Sequence, residues 1–159
     1  MWPKRKSNWS TSSRTSPLSN KGSKATMQVT SHFNLEEFRC GDGTPYPAAW
    51  VTSRLRPLCE QLELIRILCG NRSVTITSGY RTPEYNRKVG GVKNSQHIEG
   101  RAADIKIEGM PARTVAQKIL EAVSAKNLGV KGIGSYASFT HVDIRPTQRL
   151  AYWFVKSKT

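Results

Sequence analysis

Apolar and polar positions along the chain follow two periodicities, one typical of helices and one typical of strands. Between about residues 50 and 69, apolar side chains recur every three or four positions, which predicts a long helix ended by Gly70-Asn71. Residues 111–127 repeat that spacing and predict a second long helix. Shorter helices are predicted for 33–38 and 83–88.

Segments that are rich in β-branched residues, or that alternate between apolar and polar residues, predict strands. They are 74–78, 102–107, 132–136 and 139–145, while 150–155 adds a last strand or a docking tail. The strands 132–136 and 139–145 are expected to pair through the turn at Ala137-Ser138. Helices and strands mix without a regular βαβ alternation, so the prediction is an α+β fold with a small, mostly antiparallel sheet and flanking helices.

Charge divides the chain into unequal parts. Residues 1–26 carry six basic and no acidic side chains and almost nothing apolar, which predicts a disordered basic tail. Residues 27–155 are expected to form one domain, followed by a short basic tail at 156–159. The net charge of +14 favours polyanionic partners such as nucleic acid, anionic membranes or acidic wall polymers, without choosing among them.

The three cysteines do not form a disulfide framework, because their number is odd and the chain is not a small disulfide-rich scaffold. Cys59 and Cys69 lie on the apolar stripe of the first long helix, so buried free thiols are predicted. A pairing of Cys40 with one of them stays open. None of the three has the spacing of a metal ligand.

Candidate chemistry concentrates in Ser95–Asp104 and in His141-Val142-Asp143. Alternation along two strands places Asp104 and His141 on the polar faces, so they share one cleft if the strands are neighbours. His97 comes from the loop before the first of these strands. Two imidazoles and a carboxylate are the usual protein ligands of a catalytic zinc ion. The alternative is that both histidines are ordinary polar residues near a sheet edge.

The residues around these positions carry a resemblance. The run Ser95-Gln96-His97-Ile98-Glu99-Gly100-Arg101-Ala102-Ala103-Asp104, the strand end Ser78-Gly79-Tyr80-Arg81 and the strand His141-Val142-Asp143 are similar to motifs of the zinc D-alanyl-D-alanine carboxypeptidase family of peptidoglycan peptidases. The resemblance extends over roughly residues 31–153. It implies the fold shared with hedgehog signalling domains, with one Zn²⁺ per chain held in a cleft on the sheet by His97, Asp104 and His141.

Four more residues are predicted to contact substrate. A guanidinium can bind a carboxylate with two hydrogen bonds, so Arg81 is expected to position substrate or stabilise the transition state; the alternative is a surface ion pair with Glu84. The resemblance places Ser95 and Gln96 near the substrate, although Ser95 could instead stabilise its own loop. Tyr136 could donate to the oxyanion or be an ordinary half-buried tyrosine.

The general base is where this sequence departs from its better-known relatives. Many members of the family carry Asp or Glu three residues before the last zinc histidine, and here that position is Ser138. Asp143 is the predicted substitute, because it shares a strand face with His141 and could take a proton from metal-activated water. The alternative makes Asp143 a partner that orients a ligand histidine. Glu99 is a weaker candidate.

The resulting prediction is a zinc metallopeptidase that hydrolyses peptide bonds of peptidoglycan stems, as a D-Ala-D-Ala carboxypeptidase or as an endopeptidase or endolysin. It is expected to be a monomer without a specific nucleic-acid or membrane partner. The sequence shows no signal peptide or membrane span, so export or release to the cell wall is expected. Alternatives are a catalytically silent zinc-binding module of the hedgehog-like fold and a polyanion-binding protein driven by the tail.

Overall fold

The computed structural model describes residues 25–156, and the fold over these residues is α+β, as predicted. The predicted tails, 1–26 and 156–159, lie almost wholly outside the described residues. The helices are α1 (Arg56–Leu68), α2 (Pro83–Lys88) and α3 (Ala112–Ser124), and the strands are β1 (Val74–Ser78), β2 (Ala102–Ile107), β3 (Gly132–Ser135), β4 (Thr140–Asp143) and β5 (Ala151–Phe154). None of these helices is long and apolar enough to cross a bilayer.

The five strands form one mixed sheet in the order β1-β2-β4-β3-β5. The predicted antiparallel pairing of β3 with β4 is confirmed, and β2 pairs antiparallel with both β1 and β4. Only β5 breaks the pattern, because it runs parallel to β3. Because β4 already pairs with one side of β3, β5 pairs with the other side. β5 is therefore an edge strand of the sheet.

The first long helix is less regular than predicted. A 3-10 turn over Ala48–Trp50 and a π-helical turn over Val51–Leu55 precede α1. The N–H of Arg56 donates to the carbonyl of Val51, five residues back. The next residue, Pro57, has no backbone N–H to donate to the carbonyl four residues before it, which is tolerated because Pro57 lies in the first turn of α1. The expectation that Pro57 lies in a first turn or at a break is confirmed.

The hydrophobic core lies on one face of the sheet, where α3 packs against β2, β3 and β4 and α1 packs alongside α3. The strand residues that enter this core include Ala103, Ile105, Ile107, Ile133 and Val142. Asp104 and His141 alternate with these positions and are absent from the core. The predicted division of each strand into an apolar and a polar side is therefore confirmed, and the polar side is left free for chemistry.

All three cysteines are buried and free. The prediction of free thiols at Cys59 and Cys69 is confirmed, and Cys40 pairs with neither. Burial raises the pKa of the Cys59 thiol well above its ordinary value. Cys59 and Cys69 therefore act as small apolar residues of the core, whereas the Cys40 sulfur accepts a hydrogen bond from the backbone N–H of Thr82.

Candidate metal centre

Three side chains meet on the face of the sheet opposite α3. Nε2 of His97 lies 3.1 Å from Oδ1 of Asp104, and Nδ1 of His141 lies 3.0 Å from the same oxygen. The two ring nitrogens are 3.2 Å apart. All three residues are buried. The structure thus brings together the three residues that the sequence proposed as metal ligands.

Strand register explains how two of these ligands meet. Asp104 on β2 is directly paired with His141 on β4, so their side chains leave the same face of adjacent strands. His97 reaches this point from the loop before β2. That loop turns at Gly100, whose φ of +66° lies in the left-handed region that glycine adopts without strain.

Each imidazole is held by its outer nitrogen. Nδ1 of His97 donates to the carbonyl of Gly79 at 2.6 Å, and Nε2 of His141 donates to Oδ2 of Asp143 at 2.8 Å. In the neutral form of each ring the proton is directed outward, so the nitrogens that face each other present lone pairs. Such outer partners fix the tautomer and orientation of metal-binding histidines. Two facing lone pairs beside a carboxylate form a site for a cation.

The spacing of the three donor atoms suits zinc. Ligands at about 2.0–2.1 Å from a tetrahedral zinc ion lie about 3.3 Å from one another. The donor atoms of His97, Asp104 and His141 are separated by 3.0 to 3.2 Å. Two nitrogens and one oxygen also match the donor set of catalytic zinc sites, which keep a fourth position open. These three residues could therefore hold one zinc ion with little rearrangement.

The protonation states of Asp104 and His97 favour metal binding. Burial alone would raise the pKa of Asp104, but its contacts with His141 and His97 outweigh burial and hold that pKa well below its ordinary value. Burial lowers the pKa of His97 despite its contact with Asp104. The pKa of His141 is raised despite burial, because Asp104 and Asp143 both lie against its ring. At neutral pH the aspartate is therefore ionised and His97 is neutral, which are the forms that bind a metal.

Arg81 lies beside the cluster rather than on the surface. Its Nη2 donates to Oδ2 of Asp104 at 2.9 Å, and its Nε donates to Ser78 Oγ at 3.0 Å. The alternative ion pair with Glu84 is not formed, since that carboxylate lies 3.5 Å from Arg87 instead. Arg81 therefore holds the Asp104 oxygen that does not face the histidines, and its charge is largely compensated there.

Asp143 lies behind His141 and is fully buried. It accepts hydrogen bonds from Nε and Nη2 of Arg145 at 2.8 and 2.6 Å, in addition to the one from His141. Burial alone would raise its pKa, but Arg145 and His141 hold it well below the ordinary value. Both oxygens are thus occupied. The weaker base candidate, Glu99, is exposed and lies 3.3 Å from Arg54.

A cavity of about 620 Å³ opens beside the three candidate ligands. Its lining includes the four residues predicted to contact substrate, Arg81, Ser95, Gln96 and Tyr136. Ser95 Oγ also accepts the His97 N–H at 3.3 Å, which is the loop-stabilising alternative. Within the described part of the chain, Gln96 Oε1 is buried without a hydrogen-bond partner. Ser95 can therefore both stabilise its own loop and line the cavity.

The cavity residues that sequence reasoning missed include Arg145 and Trp153. Arg145 lies two positions after Asp143 on the predicted strand 139–145. Alternation along that strand could have placed it on the same face as His141 and Asp143. Trp153 had no comparable signal, because its contact with the site depends on β5 docking parallel to β3. The sequence does not specify that pairing.

Aromatic side chains brace the loop that carries His97. Tyr46 Oη donates to the carbonyl of Gly100 at 2.7 Å. A Cβ at position 100 would lie 2.7 Å from the Tyr46 hydroxyl oxygen and 3.0 Å from the Trp50 ring, so only glycine fits there. Arg54 stacks over Trp50 at 3.9 Å and donates to the carbonyl of Glu99 at 2.7 Å. The irregular helical segment at residues 48–55 therefore supports the loop directly.

Tyr46→Phe should lower the free energy of unfolding by about 1–2 kcal/mol, because it leaves a buried carbonyl at Gly100 without its donor. Urea denaturation measures this change. Tyr152→Phe is the matched control, since that ring is 45% exposed on an edge strand. Equal stability of Tyr46→Phe and the wild type would mean that this hydrogen bond does not support the loop.

Comparison with known proteins supplies an independent line of evidence. Residues 31–143 match the family model described as peptidase M15. This segment includes α1, α2, α3 and strands β1 to β4, together with the three candidate metal ligands.

Individual relatives are similar over shorter stretches. The chain is 35% identical over 86 residues to a probable peptidoglycan L,D-endopeptidase MepK of Haemophilus influenzae, covering 53% of this chain and 41% of that protein. It is 30% identical over 99 residues to peptidoglycan L,D-endopeptidase MepK of Escherichia coli K12, covering 57% and 51%. A zinc D-Ala-D-Ala carboxypeptidase of Streptomyces albus G is 38% identical over 45 residues, covering 28% and 18%. The chain thus spans about half or less of these relatives' lengths.

Proposed function

Since the chain belongs to the peptidase M15 family, we propose that it is a zinc peptidase that cleaves peptide bonds within peptidoglycan, and that it acts on cross-links. The observation that carries this proposal is the convergence of two imidazole nitrogens and one carboxylate oxygen beside a cavity of about 620 Å³. The names of the relatives, peptidoglycan endopeptidases and a zinc carboxypeptidase, support the substrate class.

His97, Asp104 and His141 would hold the zinc ion. When bound, zinc in such a site polarises the substrate carbonyl and lowers the pKa of a water to about 7. The protein contributes orientation: Gly79 and Asp143 fix the two rings, and Arg81 holds the second oxygen of Asp104. Burial of all three ligands keeps competing water away from the donor atoms.

Asp143 is proposed to orient His141 and not to act as the general base. Its two oxygens already accept hydrogen bonds from His141 and from Nε, Nη2 and the backbone N–H of Arg145, and its side chain is fully buried. A base must reach the proton that it removes, directly or through one water. These contacts support the orienting role that the sequence left as an alternative.

Cleavage within cross-links is favoured over removal of a terminal residue. A carboxypeptidase needs an unpaired cation to bind the free carboxylate of its substrate. The two guanidinium groups that line the cavity are each paired with a buried carboxylate, Arg81 with Asp104 and Arg145 with Asp143. The charge left for a terminal carboxylate is small, which supports an endopeptidase.

One observation favours the second candidate, a zinc-binding module without catalysis. Among the described residues that line the cavity, Asp104 is the only carboxylate, and it is a candidate ligand. Ser138, at the position where relatives carry an acidic base, is exposed. A silent module would bind one zinc ion and release no product.

Digestion of purified peptidoglycan separates these functions. The full chain is incubated with substrate and zinc, and mass spectrometry of the muropeptides identifies the bond that is cut. Loss of cross-linked dimers, stopped by a chelator and restored by zinc, is the expected result. Loss of a single D-Ala from monomeric stems would indicate a carboxypeptidase. One bound zinc per chain without any product would establish the silent module.

Arg81→Ala should raise the zinc dissociation constant and lower kcat/KM, each about tenfold. The substitution leaves Oδ2 of Asp104 without the partner that orients it, and outer partners of metal ligands typically contribute 10- to 100-fold in affinity. Competition with a chromophoric chelator gives the dissociation constant. Arg87→Ala is the control, because that side chain is 74% exposed and pairs with equally exposed Glu84. Wild-type zinc affinity in Arg81→Ala would contradict the role given to this contact.

A further inference from the structure

The row of residues that holds the metal ligands continues to the edge of the sheet. Asp104 pairs with His141, which pairs with Gly134 on β3, and Gly134 in turn pairs with Trp153 on β5. Gly134 has no side chain, and a Cβ there would lie 2.6 Å from the indole. The indole therefore occupies the space above this glycine, and its centroid lies 5.1 Å from that of His141.

Trp153 also contacts a second cavity residue. Its Nε1 donates to the hydroxyl of Tyr136 at 3.1 Å. The ring of Tyr136 stacks on Phe139, with centroids 4.3 Å apart and an interplanar angle of 13°. Tyr136, Phe139 and Trp153 all line the same cavity as the metal ligands. The phenol is thus held both by stacking and by a directional hydrogen bond.

The direction of that hydrogen bond fixes what the phenol can do. An indole N–H is only a donor, so the phenol oxygen must accept from Trp153, and its own proton must point elsewhere. Accepting a hydrogen bond also strengthens the donor capacity of a hydroxyl. The Tyr136 hydroxyl is therefore prepared to donate to a group that enters the cavity.

We propose that Trp153 is a positioning residue that directs the Tyr136 hydroxyl toward the scissile carbonyl oxygen of the substrate. This inference rests on the proposed peptidase function. It makes Tyr136 the catalytic residue that stabilises negative charge on that oxygen, and Trp153 acts through it. Trp153 lies ten residues beyond the end of the segment that matches the peptidase family, 31–143.

A purely structural role for Trp153 is the competing explanation, since the indole also packs on His141 and fills the space above Gly134. Trp153→Phe separates the two roles, because phenylalanine keeps an aromatic ring and removes the N–H. Tyr136→Phe removes the hydroxyl and keeps the stacking on Phe139. Tyr152→Phe is the matched control, because Tyr152 is half exposed and lies outside the cavity lining.

The test measures kcat and KM on cross-linked muropeptides with zinc bound. Tyr136→Phe should lower kcat about a hundredfold, the loss typical of removing one oxyanion donor, with KM little changed. Trp153→Phe should lower kcat about tenfold alone and should have no further effect in the Tyr136→Phe background. An equal loss in both backgrounds, or no loss from Trp153→Phe in an active enzyme, would overturn the inference.

A second readout does not depend on activity. The indole N–H resonance of Trp153 should move upfield and its hydrogen exchange should accelerate in Tyr136→Phe, because the acceptor is gone. An unchanged resonance would show that the hydrogen bond is not formed and would reject the inference. A wild-type chain that binds zinc but releases no product would instead reject the proposed function on which it rests.

Discussion

Replacing His97 with alanine is expected to abolish zinc binding and to lower kcat/KM at least about a thousandfold. His97 supplies one of three donor atoms, and its Nε2 lies within 3.2 Å of both others. A bound metal contributes several kcal/mol of transition-state stabilisation, and each 1.36 kcal/mol corresponds to about tenfold in rate. Two remaining donors do not make a catalytic zinc site, which uses three.

The chain contains a matched control for this variant. His32 is the third histidine, and it lies on the surface with its ring 2.7 Å from Glu63. His32→Ala should keep one zinc per chain and wild-type kcat/KM. Zinc content is measured on purified protein, and circular dichroism checks that both variants are folded. Full zinc content and activity in His97→Ala would remove this residue from the site and with it the basis for the peptidase assignment.

Asp143→Asn is expected to weaken zinc binding 10- to 100-fold. The aspartate fixes the ring of His141 through Nε2 and has no contact with the cavity. Loss of such an outer partner typically has an effect of this size on metal affinity. An asparagine also leaves Arg145 without the anion that now accepts two of its hydrogen bonds. The variant should therefore be less stable as well as weaker in zinc binding.

Measurement at saturating zinc distinguishes orientation from base catalysis. If Asp143 orients His141, most of kcat should return once the site is filled. If Asp143 is the base, zinc affinity should stay near the wild-type value while kcat remains low at any zinc concentration. Asp42→Asn is the control, because Asp42 is exposed and its hydrogen-bond partners, Thr44 and Thr82, do not line the cavity. It should change neither quantity.

The elements with a clear repeat could be predicted from sequence. α2 and β2 have the predicted bounds, because Pro83 marks a helix start and apolar and polar residues alternate from Ala103 to Ile107. The same alternation predicted that Asp104 and His141 would share a face, and the strand register agrees. In a strand, alternate residues point to the same face, so the positions of Asp104 and His141 along the chain were enough to predict that both side chains face the site.

Features set by tertiary contacts could not be predicted. The π-helical turn at Val51–Leu55 precedes Pro57, but the apolar spacing there is indistinguishable from that of a regular helix. Arg81 was predicted to contact substrate, with an ion pair to Glu84 as the alternative, and nothing in the sequence indicated its ion pair with Asp104. Likewise, the position of Trp153 depends on the pairing of β5 with β3. Each of these needed a contact between segments distant in sequence.

The support of the His97 loop by Tyr46 and Arg54 bears on attempts to miniaturise this site. A synthetic decapeptide copying residues 95–104 would contain two donors but neither the third nor the aromatic scaffold. Such a peptide would have to order its backbone on binding a metal, at a cost of about 1–2 kcal/mol per residue. Residues 95–104 alone are therefore a poor template for a minimal catalyst. A mimic should instead be built on paired strands that correspond to β2 and β4.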